Sequence, residues 1–282
     1  LLSIPIAIAA YLVHEPGVFV FALSALAIVP LANYIGDATE QLTRYVGVAA
    51  GGLLNASFGN APELLIAIFA LRYGLIDVVK ASIIGSMLAN LILGLGLAMF
   101  MSGMRKREQT VNRGAAQSSA STRLVATLAL VMPAIFLATS GGDVSSVEEF
   151  SIGVSFLLLV AYVGSVIFSL YTHKHLWARD AARYTKPEWS IATCVLVLLA
   201  ATAAVAVMSE LLTSSIQPLI GTLGWSETFI GVIVLSIVSN AAEYATAIRV
   251  ALKDNMALTI QIAIGSSTQI AMFVAPVLVI AT

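Results

Sequence analysis

Apolar residues in this chain come in long runs, and polar interruptions divide them into segments at about 1 to 13, 17 to 36, 46 to 71, 76 to 102, 122 to 140, 148 to 171, 190 to 213, 228 to 252 and 256 to 281. A helix needs about 20 mostly apolar residues to cross a bilayer. Eight of these nine segments come close to that length or exceed it. The first is too short to cross comfortably. It is expected to be the remainder of a longer helix or to lie partly in the interface, and its Leu1-Leu2 start favours the former. A cleavable leader is not expected, because a basic n-region and a small-residue cleavage site are both missing. The pattern predicts an all-α integral membrane protein.

Composition agrees with the pattern. The chain is 59% hydrophobic and 10% charged, against roughly 25% charged residues in a soluble domain. A formal charge of −1 gives no basic field for nucleic acid, so the lipid bilayer is the expected partner. The single cysteine, Cys194, excludes disulfides within the chain, cysteine-pair redox motifs and thiolate zinc sites together. His14, His173 and His175 have no metal-ligand spacing and read as loop residues.

Charge placement predicts topology, since short cytoplasmic loops are rich in Lys and Arg. With the chain starting inside, one side collects Arg44, Arg105, Lys106, Arg107, Arg113, Arg123, Lys174, Arg179, Arg183, Lys186, Arg249 and Lys253. The other side collects Arg72 and Lys80. The turn from Asp143 to Glu149 falls on that outer side. Trp177, Trp189 and Trp225 lie at segment boundaries and read as interfacial anchors.

The segments also repeat. GGLLNASFGNAPELLIAI from Gly51 aligns without a gap on GVIVLSIVSNAAEYATAI from Gly231, 180 residues on. Asn60 falls on Asn240, Glu63 on Glu243 and, at the same offset, Ile84-Gly85-Ser86 on Ile264-Gly265-Ser266. In the predicted topology the Glu63 segment runs outward and the Glu243 segment inward, so the repeats are inverted. That arrangement builds secondary transporters with a site near the bilayer midplane.

A carboxylate at bilayer depth costs at least about 2.5 kcal/mol on insertion scales, and two symmetric ones call for a function. Each glutamate has an asparagine three residues earlier, so an amide oxygen and a carboxylate share a helix face. Pro62 lacks an N–H and is expected to leave the carbonyl of Phe58 free. Ser86 and Ser266 add hydroxyls on the next segment of each copy, with Asn90 and Gln269 one turn further. This all-oxygen set with two carboxylates suits a hard cation such as Ca2+. Softer metals fit it less well. Gly51, Gly52, Gly59, Gly85, Gly94 and Gly96 read first as packing positions, with a site role reserved for Gly59 and Gly85 beside Asn60 and Ser86.

These motifs resemble those of a known family. GNAPELLIAI at Gly59, SNAAEY at Ser239, VVKASIIGSMLANL at Val78 and IAIGSSTQIAMFVAP at Ile262 are similar to the repeat motifs of the cation/proton exchangers, the Ca2+/H+ antiporters of the cation/calcium exchanger superfamily. IGDATEQL at Ile35, MRKREQTVNRGAAQ at Met104 and VALKDNM at Val250 extend the similarity over nearly the whole chain. The resemblance implies eleven helices, one extra N-terminal helix followed by two inverted halves of five, with the motif glutamates alternately holding Ca2+ and protons. On this chain it predicts the extra helix at 1–14, a first half at 15–172 (helices two to six), a basic cytoplasmic loop at 173–187, and an incomplete second half at 188–282 (helices seven to nine). The family's last two helices are expected to lie outside this chain. Ser239 and Tyr244 depart from the family's usual Gly-Asn-x-x-Glu-His pattern, which leaves Mn2+ and other divalent cations open.

The expected function is therefore Ca2+/H+ antiport by alternating access, with no resident cofactor and no enzymatic reaction. Glu40 and Glu210 are candidate entrance acids, weighed evenly against ordinary solvated helix ends. Na+/Ca2+ exchange is the nearest rival but needs further Na+ ligands. A cation channel is the rival of another class, disfavoured by the inverted duplication. The expected location is the cell membrane in a prokaryote, or a vacuolar or other organellar membrane in a eukaryote. Assembly with copies of itself is left open.

Overall fold

The computed structural model describes residues 1–15, 17–106, 108, 111, 113–139, 144–168 and 187–282. Among the predicted features, Arg107, Asp143 and the loop residues His173, Lys174, His175, Trp177, Arg179, Arg183 and Lys186 lie outside the described residues, as does the side chain of Arg113.

The described residues form helices and no strand. They are α1 (Ser3–Leu12), α2 (Gly17–Phe58), α3 (Ala61–Arg72), α4 (Ile76–Gly103), α5 (Arg113–Thr139), α6 (Val144–Ile167), α7 (Ile191–Ser214), α8 (Ile216–Leu223), α9 (Glu227–Leu252) and α10 (Met256–Ala281). Among the described residues seven stretches are long and apolar enough to cross a membrane, and α1 is a shorter apolar helix. Backbone groups in lipid must be satisfied within the chain, so helices are the natural outcome of these apolar runs. Large side chains such as Leu124 and Leu128 on α5, Phe156 and Leu157 on α6, and Leu196 and Leu199 on α7 are exposed, as expected of surfaces turned to lipid.

Two boundaries differ from the expectation. The helix predicted to stop near residue 36 continues through the polar stretch from Asp37 to Tyr45. Thr39 Oγ1 and Thr43 Oγ1 donate to the carbonyls four residues back at 3.0 and 2.8 Å, and Arg44 pairs with Glu40 at 2.8 Å. Polarity here marks departure from the apolar layer, while the backbone goes on being helical. The predicted segment from 46 to 71 is two helices. α2 is broken at Gly47, whose φ of 84° and ψ of 168° suit glycine alone, and it ends at Phe58. α3 then starts anew after Asn60.

The chain divides into two compact units, each drawn from both halves of the sequence. Among the described residues the first unit comprises Leu1–Ala89 and 187 to Ala242. Its centre is the packing of α2 on α7, with α1 and α3 against the same pair. Val20, Ile28, Leu31 and Ile35 of α2 and Leu198, Val205, Met208 and Leu212 of α7 are buried at helical spacing. The two helices run antiparallel: Gly17 lies against Pro218, and Tyr45 Oη donates to the carbonyl of Trp189 at 2.6 Å.

In the same unit, the first part of α4 crosses the start of α9, where Ile230–Leu235 is a π-helical segment. Glycine makes this crossing close. A Cβ on Gly85 would stand 2.4 Å from the Val232 carbonyl oxygen, and one on Gly231 would stand 2.5 Å from Ala81 Cβ. Without a hydrophobic drive between helices in lipid, such close backbone approach supplies the dispersion energy.

The second unit comprises the described residues from Asn90 to 168 and Glu243–Thr282. α10 packs on α5, on α6 and on the π-helical segment Asn90–Leu95 within α4. Ala98, Ala247, Ala251 and Met256 form a buried cluster, and Tyr162 stacks on Phe273 at 5.4 Å. Ser102 Oγ donates to the carbonyl of Ala251 at 2.9 Å, and beside it Lys106 pairs with Asp254.

Candidate cation-binding site

The first motif is shaped by the break before α3. Asn60 occupies the N-cap position with φ of −94°, Pro62 sits in the first turn, and Leu64 N–H donates to the Asn60 carbonyl at 3.0 Å. Proline in the first turn loses nothing, because its missing donor has no intrahelical acceptor there. Glu63 falls in that same first turn, where the positive end of the helix dipole favours a carboxylate. Both side chains are buried, Asn60 at 1% and Glu63 at 8% exposure. Pro62 therefore does not interrupt a continuous helix. Phe58 closes α2, and its carbonyl is one of those that any helix end leaves over.

The second motif has Ala242 where the first has Pro62, and α9 passes through it unbroken. Asn240 is fully buried. Its Nδ2 donates to Ser86 Oγ at 3.0 Å, to the Ser236 carbonyl at 2.9 Å and to Ser239 Oγ at 3.0 Å. A carbonyl can only accept, so these contacts fix which end of the amide is nitrogen. Oδ1 is turned the other way, buried and with no hydrogen-bond partner among the described residues.

Glu243 lies three residues on, on the same face of α9. Ser266 and Asn90 are the polar neighbours of its carboxyl group, and Asn90 Nδ2 donates to Ser266 Oγ at 2.9 Å. Glu243 Oε2 is nevertheless buried without a partner among the described residues. Buried polar atoms in proteins are nearly always paired, so each of these orphan oxygens points to something that binds it.

The structure thus brings Asn240 to Ser86 in the first unit, and Asn90 and Ser266 to Glu243 in the second. Asn60 and Glu63 belong to the first unit, and Gln269 to the second. Gln269 is half-buried and immediately precedes the π-helical segment Ile270–Val274, while Asn90 opens the π-helical segment of α4. Such segments are frequent at functional sites. Asn90 and Gln269 are not repeat mates, since at the common offset they fall on Ile270 and Ala89.

Glu40 and Glu210 are both exposed. Glu40 is paired with Arg44, which offsets its charge as an attractor of cations. Ser236 and Ser239 were missed by sequence reasoning, although the four-residue spacing of Ser236 and Asn240 was available to it. Gly85 serves the α4–α9 crossing described above. Among the described residues no three His, Cys, Asp or Glu side chains cluster as a metal site. Around the Glu243 carboxylate the neighbours on offer are a neutral hydroxyl, Ser266, and a neutral amide, Asn90, and such oxygens suit a hard cation that must also be released.

Residues 16–171 and 193–282 match the family described as sodium/calcium exchanger protein. The chain is 42% identical to the Ca2+/H+ antiporter ChaA of Bacillus subtilis (strain 168), over 99% of this chain and 80% of that one. It is 40% identical to a Ca2+/H+ antiporter of Aphanothece halophytica, over 100% of this chain and 80% of the relative. The solved structure of native YfkE superposes with a TM-score of 0.84 at 40% identity, covering 99% of this chain and 79% of that one.

Proposed function

The chain belongs to the sodium/calcium exchanger protein family, and we propose that it is a secondary active antiporter that exchanges Ca2+ for H+ across its membrane. The observation that carries this reading is the orientation of the second motif. The Asn240 amide is held by its nitrogen with its oxygen unused, and Glu243, three residues on in the sequence, has a carboxyl oxygen that is also buried and unused. A divalent cation satisfies such acceptors directly. A proton on the glutamate turns one of them into a donor.

Charge balance gives the coupling. Glu63 and Glu243 together carry two negative charges, which one Ca2+ or two protons neutralise. The unloaded, doubly ionised form is the expensive one at membrane depth. Access therefore changes while the glutamates are loaded, and each inward or outward transit of one ion requires the return of the other. Asn60, Asn240, Ser86, Ser266, Asn90 and Gln269 supply neutral oxygens, so selectivity rests on their number and spacing while charge rests on the glutamates.

Inverted topology is part of the proposal, and contacts within each unit support it. Gln41 Oε1 accepts from Glu188 N–H at 3.0 Å and Tyr45 reaches Trp189. These residues come from ends that the Lys and Arg count assigns to one side. In the other unit Lys106 meets Asp254, again joining two ends assigned to that side.

The test is Ca2+ uptake into proteoliposomes under imposed pH or Na+ gradients. The proposal expects uptake driven by an outward proton gradient and indifferent to Na+. Uptake driven by Na+ and indifferent to pH would replace it with Na+/Ca2+ exchange, and flux that only dissipates gradients would replace it with a channel.

A further inference from the structure

Hydroxyl groups in membrane helices usually fold back onto the carbonyl three or four residues earlier. In α2 and α7 those of Thr39, Thr43, Thr202, Thr213 and Ser214 do so, at 2.7 to 3.0 Å. Ser24 of α2 and Ser209 of α7 do not. Both are 0% exposed, and both Oγ atoms are buried with no hydrogen-bond partner among the described residues.

The helix register sets these two serines at one level. Gly17 of α2 lies against Ser215 and Pro218, and the other end is fixed by Tyr45 on Trp189. Ser24 is seven residues in from Gly17, and Ser209 is six residues before Ser215. Both also fall within the buried stripes along which α2 and α7 pack, between Val20 and Ile28 on one helix and between Val205 and Leu212 on the other. α1 packs against both helices, and its fully buried contribution there is the small side chain of Ala7.

The two unused hydroxyls make this junction a polar spot within an otherwise apolar interface. The oxygens do not bond each other, so each lacks the partner that a buried hydroxyl ordinarily has. A cation is disfavoured, because neither group is charged and the neighbouring Glu210 is exposed. We infer that one internal water molecule is bound at the α1–α2–α7 junction, bridging Ser24 Oγ and Ser209 Oγ and holding α2 and α7 in register. Buried waters make about two to four hydrogen bonds, and the two hydroxyls supply the first two.

The inference is tested by a structure of the full chain at a resolution that shows ordered water, together with melting temperatures of Ser24→Ala, Ser209→Ala and the double variant. The expected result is a density peak about 2.7–3.0 Å from both Oγ atoms. Each single variant should melt lower than the parent, and the double no lower than the lower single, because either change already removes the shared bridge. Ser→Ala is small enough to leave a folded protein. No density at the junction would overturn the inference. So would additive losses, or variants that melt at or above the parent temperature, the behaviour expected when a truly orphaned hydroxyl is deleted.

Discussion

Adding a single methyl group at Gly85 should cost this protein both stability and transport. In Gly85→Ala the new Cβ would stand 2.4 Å from the Val232 carbonyl oxygen, 2.5 Å from Val232 Cα and 2.3 Å from Ser236 Oγ. The serine hydroxyl can rotate away, but the Val232 backbone cannot. Comfortable carbon contacts lie at about 3.5–4.0 Å, so α4 and α9 must part by about 1 Å. Ser86 is the next residue, and its hydrogen bond from Asn240, now 3.0 Å, would stretch beyond bonding distance. Overpacking costs about 1–3 kcal/mol and a lost buried hydrogen bond about 1 kcal/mol, giving a total on the order of 2–4 kcal/mol. Thermal melting of the purified protein should fall clearly, and Ca2+ uptake should fall further than the folded fraction alone explains, because the Asn240 amide has lost its anchor. Gly231→Ala strikes the same crossing and should behave alike. Gly96→Ala, where no atom of another group stands within 4 Å, serves as the control and should be neutral. A Gly85→Ala protein with parental melting and parental uptake would refute the argument that this crossing positions Asn240.

Glu63→Gln and Glu243→Gln should each abolish exchange while leaving an extractable protein of near-parental melting temperature, since the amide keeps the shape and loses the charge; uptake near the parental rate in either removes that glutamate from the mechanism. Asn240→Ala should be milder in transport, a loss of one neutral ligand among several, yet cost about 1–3 kcal/mol in stability because Ser86, Ser236 and Ser239 lose a donor. Single cysteines near Lys106 and Asp254, in a Cys194→Ala background, should label from one side of the membrane and a cysteine at Glu148 from the other; labelling of both sets from the same side would sink the inverted topology. Asp254→Asn should change stability by less than about 1 kcal/mol, because the exposed pair with Lys106 is screened by water and salt; a larger loss in thermal melting would mean that the pair locks the ends of α4 and α9.

The all-helical membrane fold was legible because long apolar runs leave the backbone few alternatives in lipid. The repeat was legible because polar residues in such runs are rare enough for one common offset to be meaningful. The break between Phe58 and Ala61 was less so. Pro62 announced a disturbance, but a proline kinks a helix or begins one according to what precedes it, and here Gly59 and Asn60 decide for a new start. The continuation of α2 past residue 36 was hidden because hydropathy reports the membrane boundary, whereas hydroxyl back-bonding and the Glu40–Arg44 pair carry the helix beyond it. At the site, spacing alone singled out Asn240, Ser86, Asn90, Glu243 and Ser266. Spacing was silent on which serine pairs with which asparagine, since Ser86 and Asn240 are 154 residues apart. The partial failure of the repeat symmetry is itself in the sequence, where Pro62 falls on Ala242 and Asn90 on Ile270, but its consequence, a new helix start in one copy and an unbroken helix in the other, needed the structure.

The central claim is that Ca2+ and protons compete for Glu63 and Glu243. Calorimetry of Ca2+ binding, repeated at each pH in buffers of different ionisation enthalpy, counts the protons released per ion. As metal binding must displace protons from its carboxylates, the count should rise toward two as pH falls through the range where both glutamates hold protons, with Ca2+ affinity weakening in step. It should fall toward one in Glu63→Gln or Glu243→Gln wherever binding survives. A count near zero throughout, with affinity independent of pH, would contradict the account and place cation and proton on separate groups.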